Sequence, residues 1–292
     1  MKNILKRIFS CKSHIRPLLN PFISSEINSL GNFRGVNSIS RETPIIVSLA
    51  SSRENFKRLP ITIYSLLNQK TKPDRIILWL DEDYEDFTRL PYEITQFIKN
   101  GLEIRFVKDL KSYTNIYYSI KEFSNSIIVT ADDKIYYPRN WLKKLYMSYI
   151  SHSNDIQVHC ANQVEYTNEK LLPYEKWEKF VNEESARYDN FINSIGGVLY
   201  PPNCFSKEIL RQDIFLKDAP DTSDAWLWTM ALVHNRKIRV VNKHLKNLIY
   251  TDFVAHFIKN CKKDNTNYYN KQLQNLMKFY SRNVLSKLKS SS

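Results

Sequence analysis

The chain has 292 residues, 42% of them apolar, and 43 Lys and Arg against 30 Asp and Glu give a formal charge of +13. The apolar share excludes a disordered body, and the 5 glycines exclude collagen-like or linker-rich architecture. No run approaches the ~18 apolar residues of a membrane-spanning helix. A basic balance suits nucleic acid, an anionic membrane surface or a phosphorylated substrate.

Residues 1–42 form a basic N-terminal segment. Lys6 and Arg7 interrupt Ile4-Leu5 and Ile8-Phe9, an apolar core too short for a secretory signal, so none is expected there. Met1 to Arg16 reads as a basic amphipathic helix lying on anionic lipid, as a helix docked on the domain, or as a frayed tail. The cysteines Cys11, Cys160, Cys204 and Cys261 lack metal-ligand spacing, and a reduced, cytoplasmic setting is expected.

A strand–helix alternation begins at Pro44. Ile45 to Ala50 is an apolar strand running into Ser51-Ser52-Arg53, and Phe56, Leu59, Ile63, Leu66 and Leu67 follow at helical spacing. Pro60 fits only the first turn of that helix. Arg75 to Leu80 is the next strand and ends in Asp81-Glu82-Asp83. A helix from Pro91 to Asn100 stops at Gly101, a strand covers Leu102 to Val107, and a helix spans Thr114 to Phe123.

Then comes a β-branched run, Ser126 to Thr130, that ends in Ala131-Asp132-Asp133-Lys134 and Tyr136-Tyr137-Pro138. It reads as a buried strand delivering two acids to its carboxyl edge, where open α/β sheets place their ligands. Acids there hold a metal or position a phosphorylated substrate, or they only cap a turn. Lys134 is a cation where a third carboxylate would suit a metal better.

Trp141, Leu142, Leu145 and Tyr149 share a helical face, and Asp155 to Cys160 reads as a strand. In so glycine-poor a chain, Gly196-Gly197 marks either a close backbone approach to a ligand or a φ > 0 turn. Asp221 to Trp226 opens a helix with acidic capping residues, Ile238 to Val241 is a strand, and Tyr268 to Tyr280 is an amphipathic helix. The alternation predicts an α/β fold with a mostly parallel central sheet flanked by helices.

Six stretches then stand in register across residues 43 to 242. They are Ile45 to Arg53, Tyr64 to Gln69, Lys72 to Leu80, Thr130 to Asp133 with Tyr137-Pro138, Gly196 to Pro202, and Asp224-Ala225-Trp226. Together they resemble a bacterial GT-A-fold glycosyltransferase of the family-two-like kind, the Rossmann-like enzymes of cell-surface polysaccharide synthesis. The resemblance implies a single GT-A domain over 43–260, followed by an amphipathic helix and basic tail over 261–292. It implies transfer of a sugar from a nucleotide-sugar to a lipopolysaccharide or capsule acceptor, a glycan or lipid-linked glycan, on the cytoplasmic face of the membrane.

By the same resemblance, Ser48, Ser51 and Arg53 lie near nucleobase and phosphates, and Asp81 contacts nucleobase or ribose. Asp132 and Asp133 match the first two positions of an Asp-x-Asp motif whose carboxylates suit Mg²⁺ or Mn²⁺ on the donor diphosphate. Gly196 and Gly197 let backbone approach the sugar or diphosphate. Asp224 matches the general base of inverting members.

The chain departs from the family at three charged positions: Lys134 replaces an acid, Asn115 a basic residue and Cys160 an arginine. An ammonium beside Asp132 and Asp133 repels a divalent ion, and Lys134 instead suits direct contact with the diphosphate. That implies metal-independent transfer or, alternatively, a degenerate domain that keeps ligand or partner binding without turnover. His256 is a candidate metal ligand but reads better as structural. Trp226 and Trp228 read as core, with one of them facing the acceptor as the alternative. Nucleic acid is not expected as a partner, for lack of a recognised motif or concentrated basic stripe.

Overall fold

The computed structural model describes residues 15–17, 31, 33–39, 41–84, 89–181, 183–241, 248–251 and 265–290. The expected N-terminal helix, apart from Ile15 and Arg16, lies outside them, as do Cys11, Cys261 and His256. In chain order the first half runs β1 Ile15–Pro17, β2 Ile45–Ala50, α1 Leu59–Leu67, β3 Arg75–Asp81, α2 Tyr92–Thr95, β4 Leu102–Val107, α3 Thr114–Glu122, β5 Ile127–Ala131 and β6 Ile135–Tyr136. After α4 Trp141–Ser151 come β7 Ile156–Val158, β8 Ala161–Gln163, β9 Ala186–Arg187, β10 Asn190–Ile192 and β11 Val198–Tyr200. The chain continues through α5 Gln212–Asp218, α6 Ser223–Val233, β12 Ile238–Val240, β13 Leu248–Tyr250 and α7 Asn265–Lys289.

Eight strands form the central sheet in the order β4-β3-β2-β5-β11-β7-β12-β9. The half from β4 to β5 is wholly parallel. Beyond it β11 runs antiparallel to both β5 and β7, β12 is parallel to β7, and β9 closes the edge antiparallel to β12. Six strands therefore share one direction and two oppose it. The result is an open, Rossmann-like α/β sheet with an antiparallel strand inserted near its middle. Ile238 to Val240 is thus the next-to-last strand, with Ala186–Arg187 outside it.

Both faces are covered, which is why the strands read as continuous apolar runs. Ile45, Val47 and Leu49 point to one side and join Leu59, Ile63 and Leu66 of α1 and Leu142 and Leu145 of α4. Ile46 points to the other and joins Ile77, Trp79, Ile116 and the helix α6. The strand period of two sends alternate residues into separate cores. Helix α7 belongs to this second core through Leu273, Leu276, Val284 and Leu288. Among the described residues no helix is long and apolar enough to cross a membrane.

Gly196 and Gly197 serve packing. Gly197 has φ +83, and a Cβ there would stand 2.4 Å from Trp141 Cζ2; the Trp141 indole donates to Gly196 O at 2.7 Å. Gly197 permits the close approach of Trp141, and Gly196 that of His159 and Cys160. The two glycines lead into β11, which the strand periodicity does not reveal because it is three residues long.

Gly197→Ala combines strained backbone with overlap and is expected to cost a few kcal/mol. Gly31→Ala, where a Cβ meets nothing within 4 Å, should stay within about 0.5 kcal/mol of wild type. Urea unfolding of the two variants checks the contrast.

Candidate functional site

The parallel half has one point at which connections diverge: from β2 the chain steps to β3 on one side, while β5 lies on the other. Strand ends splay apart there, and open sheets bind ligands in the resulting crevice. A cavity of about 270 Å³ occupies it. Its floor is the carboxyl edge of β2 and β5, with Ala50, Thr130, Ala131, Asp132 and Asp133. One wall is Lys111, Ser112 and Asn115 at the start of α3, and the other is Ser194 with Thr222 and Ser223 at the start of α6.

The paired acids differ. Asp133 is 8% exposed, and its Oδ2 accepts from Ser51 Oγ at 2.5 Å and Asn55 Nδ2 at 2.9 Å. Lys134 Nζ lies 3.9 Å from Asp133 Oδ1. Burial and the neighbouring charge of Asp132 nevertheless push the Asp133 carboxyl up to about 6, against the opposing pull of Lys134, Ser51 and Asn55. Asp132 is half-buried; its Oδ1 accepts from the Lys134 backbone N–H at 2.8 Å, and its own N–H donates to Tyr137 Oη at 2.7 Å.

Asp224 sits in the first turn of α6, whose cap is Thr222, accepting from Asp224 N–H at 3.3 Å. The acidic residues expected as caps therefore have other work. Asp224 is 4% exposed and lies behind the cavity wall. Ser194 Oγ donates to its Oδ1, and Tyr269 Oη of α7 donates to its Oδ2 at 3.1 Å. Burial pushes its carboxyl up to about 6, the two donors oppose this, and the charge of Asp132 adds to the rise.

The structure therefore brings Asp132 and Asp133 together on the floor, with Ser51 bonded to Asp133 from outside the lining and Asp224 one layer behind Ser194. Other expected contacts fall elsewhere. Ser48 is fully buried; its hydroxyl donates to Asn115 O at 2.9 Å and accepts from Trp79 Nε1 and Ser119 Oγ, both at 2.8 Å. It points to the α3 face of the sheet and binds protein only. Arg53 is exposed and lies over the Tyr84 ring at 4.8 Å, and Asp81 Oδ1 accepts from Asp83 N–H at 3.2 Å. Neither Arg53 nor Asp81 lines the cavity, and nor do Gly196, Gly197 and Lys134. The indoles of Trp226 and Trp228 are core, donating to Ile209 O and Tyr188 O.

A divalent ion fits this donor set poorly. Of the four oxygens of Asp132 and Asp133, only Asp132 Oδ2 has no partner among the described residues, and an ammonium stands beside the pair. Among the described residues no three His, Cys, Asp or Glu side chains cluster to hold a metal.

Sequence reasoning missed Asn55, Lys111, Ser112, Ser194 and Tyr269. Asn55 lies one turn past Ser51 and was within reach of a local argument. Tyr269, in a helix 45 residues after Asp224, carried no local signal.

No protein-family model matches the chain, and no curated protein matches it. Among solved structures, the inositol-1-phosphate CTP transferase from T. maritima is similar at 13% identity over 80% of this chain and 98% of that one, with a TM-score of 0.42. What the fold and site define is an open α/β protein with a polar, acid-floored cavity at its switch point.

Both buried acids hold a proton more tightly folded than unfolded, at about 6 against an ordinary 3.8. Between those values the native state binds more protons than the unfolded chain, so stability falls as pH rises. Their contribution is fully present below about pH 4 and is lost as pH rises through about 6. Asp133→Asn and Asp224→Asn should each remove a few degrees of that fall. Melting temperatures of wild type and variants from pH 4 to 7.5 decide it, and parallel curves would refute the assignment.

Proposed function

We propose that the protein transfers a sugar from a nucleotide-sugar to a hydroxyl of a surface glycan or lipid-linked glycan, with inversion. The observation that carries this is the cavity at the switch point, floored by Asp132 and Asp133 and walled by the starts of α3 and α6. Two helix N-termini offer N–H groups to an anion, as a diphosphate requires. The acids on the floor accept from sugar hydroxyls. The six-motif resemblance supports the same reading, and the charge of +13 supports work beside an anionic membrane surface.

In the transfer, the acceptor oxygen bonds to the anomeric carbon while the bond from that carbon to the diphosphate oxygen breaks, and the diphosphate leaves with the electron pair. The acceptor proton goes to Asp224 through Ser194, whose hydroxyl lines the cavity and donates to Asp224 Oδ1. A carboxyl raised to about 6 is ionised at neutral pH yet more basic than an ordinary one, which suits a general base. The crowded, cation-flanked acid pair supports transfer without a divalent ion.

A panel of nucleotide-sugars and nucleoside diphosphates should raise the melting temperature for at least one member, equally with EDTA and with Mn²⁺. No shift with any of them sinks the reading, and a shift only with Mn²⁺ sinks metal independence. Once a donor is known, Asp224→Asn should lower turnover about 10²- to 10⁴-fold while donor binding stays. An unchanged rate would exclude Asp224 as the base.

A further inference from the structure

We infer that Lys111 is the cation that binds the donor diphosphate, in the role for which the acid pair is poorly arranged to hold a metal. The assignment rests on the nucleotide-sugar reading of the cavity. Among the described residues Lys111 is the one basic side chain lining it. Its ammonium has no acidic partner among the described residues, whereas Lys134 already stands beside Asp133 and outside the lining.

The backbone around Lys111 is built to hold it there. Lys111 has φ +57, a conformation that costs a non-glycine residue free energy and that surrounding structure must impose. Asp109 Oδ1 imposes it by accepting from Lys111 N–H at 2.8 Å and from Thr114 Oγ1 at 3.0 Å, while Thr114 Oγ1 accepts from Leu110 N–H at 2.8 Å. Tyr113 then ties this turn to the opposite wall. Its hydroxyl reaches Ala219 O at 2.5 Å and Thr222 O at 3.1 Å, and its ring stacks on Phe215 at 4.1 Å. The turn that carries Lys111 is thereby tied to the N-terminus of α6, while the Lys111 side chain itself is exposed.

Charge decides the rest. A diphosphate against Asp132 and Asp133 alone meets repulsion. A phosphate set against Lys111 rather than against the acids of the floor gains attraction in place of repulsion, with the sugar left over the floor. The ligand class is therefore a nucleoside diphosphate whose phosphates face the α3 wall.

The test uses the full chain, inorganic pyrophosphate and uridine and guanosine diphosphates, titrated calorimetrically in EDTA. Lys111→Gly removes the ammonium and suits φ > 0, so its fold is expected to be at least as stable as wild type. It should weaken pyrophosphate binding roughly ten- to hundredfold, the span of a charged hydrogen bond, whereas Lys111→Arg should stay near wild type. Diphosphate binding that is unaltered in Lys111→Gly overturns the role of Lys111 and leaves the nucleotide-sugar reading standing. Failure of wild type to bind pyrophosphate or either nucleotide overturns the assignment; failure with every nucleotide-sugar of the panel as well overturns the reading.

Discussion

The structure around the cavity depends on burying one carboxylate, that of Asp133, and stabilising it with neutral donors. Taking an ionised acid out of water is costly unless hydrogen bonds replace the solvent. Ser51 and Asn55 supply two, and both come from the turn that follows β2. The acid at the end of β5 is thereby fixed to the end of β2, its parallel neighbour. The adjoining backbone extends the same tie. Thr62 Oγ1 of α1 donates to Asp133 O at 2.9 Å, and Thr251, just after β13, donates from N–H and Oγ1 to Lys134 O. Strand ends, first helix and the small β1-β13-β6 sheet meet at Asp133 and Lys134.

Asp224 repeats the arrangement on the other wall, with Ser194 and Tyr269 as donors. The second donor explains why α7 matters to the site, although it follows the central sheet in sequence. Gln272, one turn beyond Tyr269, accepts from the N–H groups of Asp221 and Thr222 and so holds the chain as it enters α6. The C-terminal helix thus positions the start of α6 as well as packing on it.

The parallel half was legible because each strand is five to seven residues long, with β2, β3 and β5 mostly apolar runs and β4 an alternating one at the edge. In the second half β7 and β12 were read from Asp155 to Cys160 and Ile238 to Val241, but β8 to β11 are two or three residues long and give no period to count. That is how β11 went unread behind two glycines. Asp132, Asp133 and Ser51 were legible as a strand end and the turn beside it. Ser48, set near the donor by the resemblance alone, is fully buried with its hydroxyl turned to Trp79 and α3. Lys111 left no pattern, because its placement comes from a side-chain-capped turn.

The two kinds of charge at this site come from different elements. Both acids of the floor lie at the end of β5, whereas Lys111 belongs to the wall that precedes α3. Lys134, the cation nearest the acids in sequence, offsets part of their charge from outside the cavity. A ligand that is anionic at one end and rich in hydroxyls at the other has one favourable orientation here. Reversing it would set phosphate against carboxylate and leave the ammonium facing neutral hydroxyls. Several kcal/mol of electrostatic preference in a partly desolvated site would then orient the ligand before any contact specific to the base or the sugar is made.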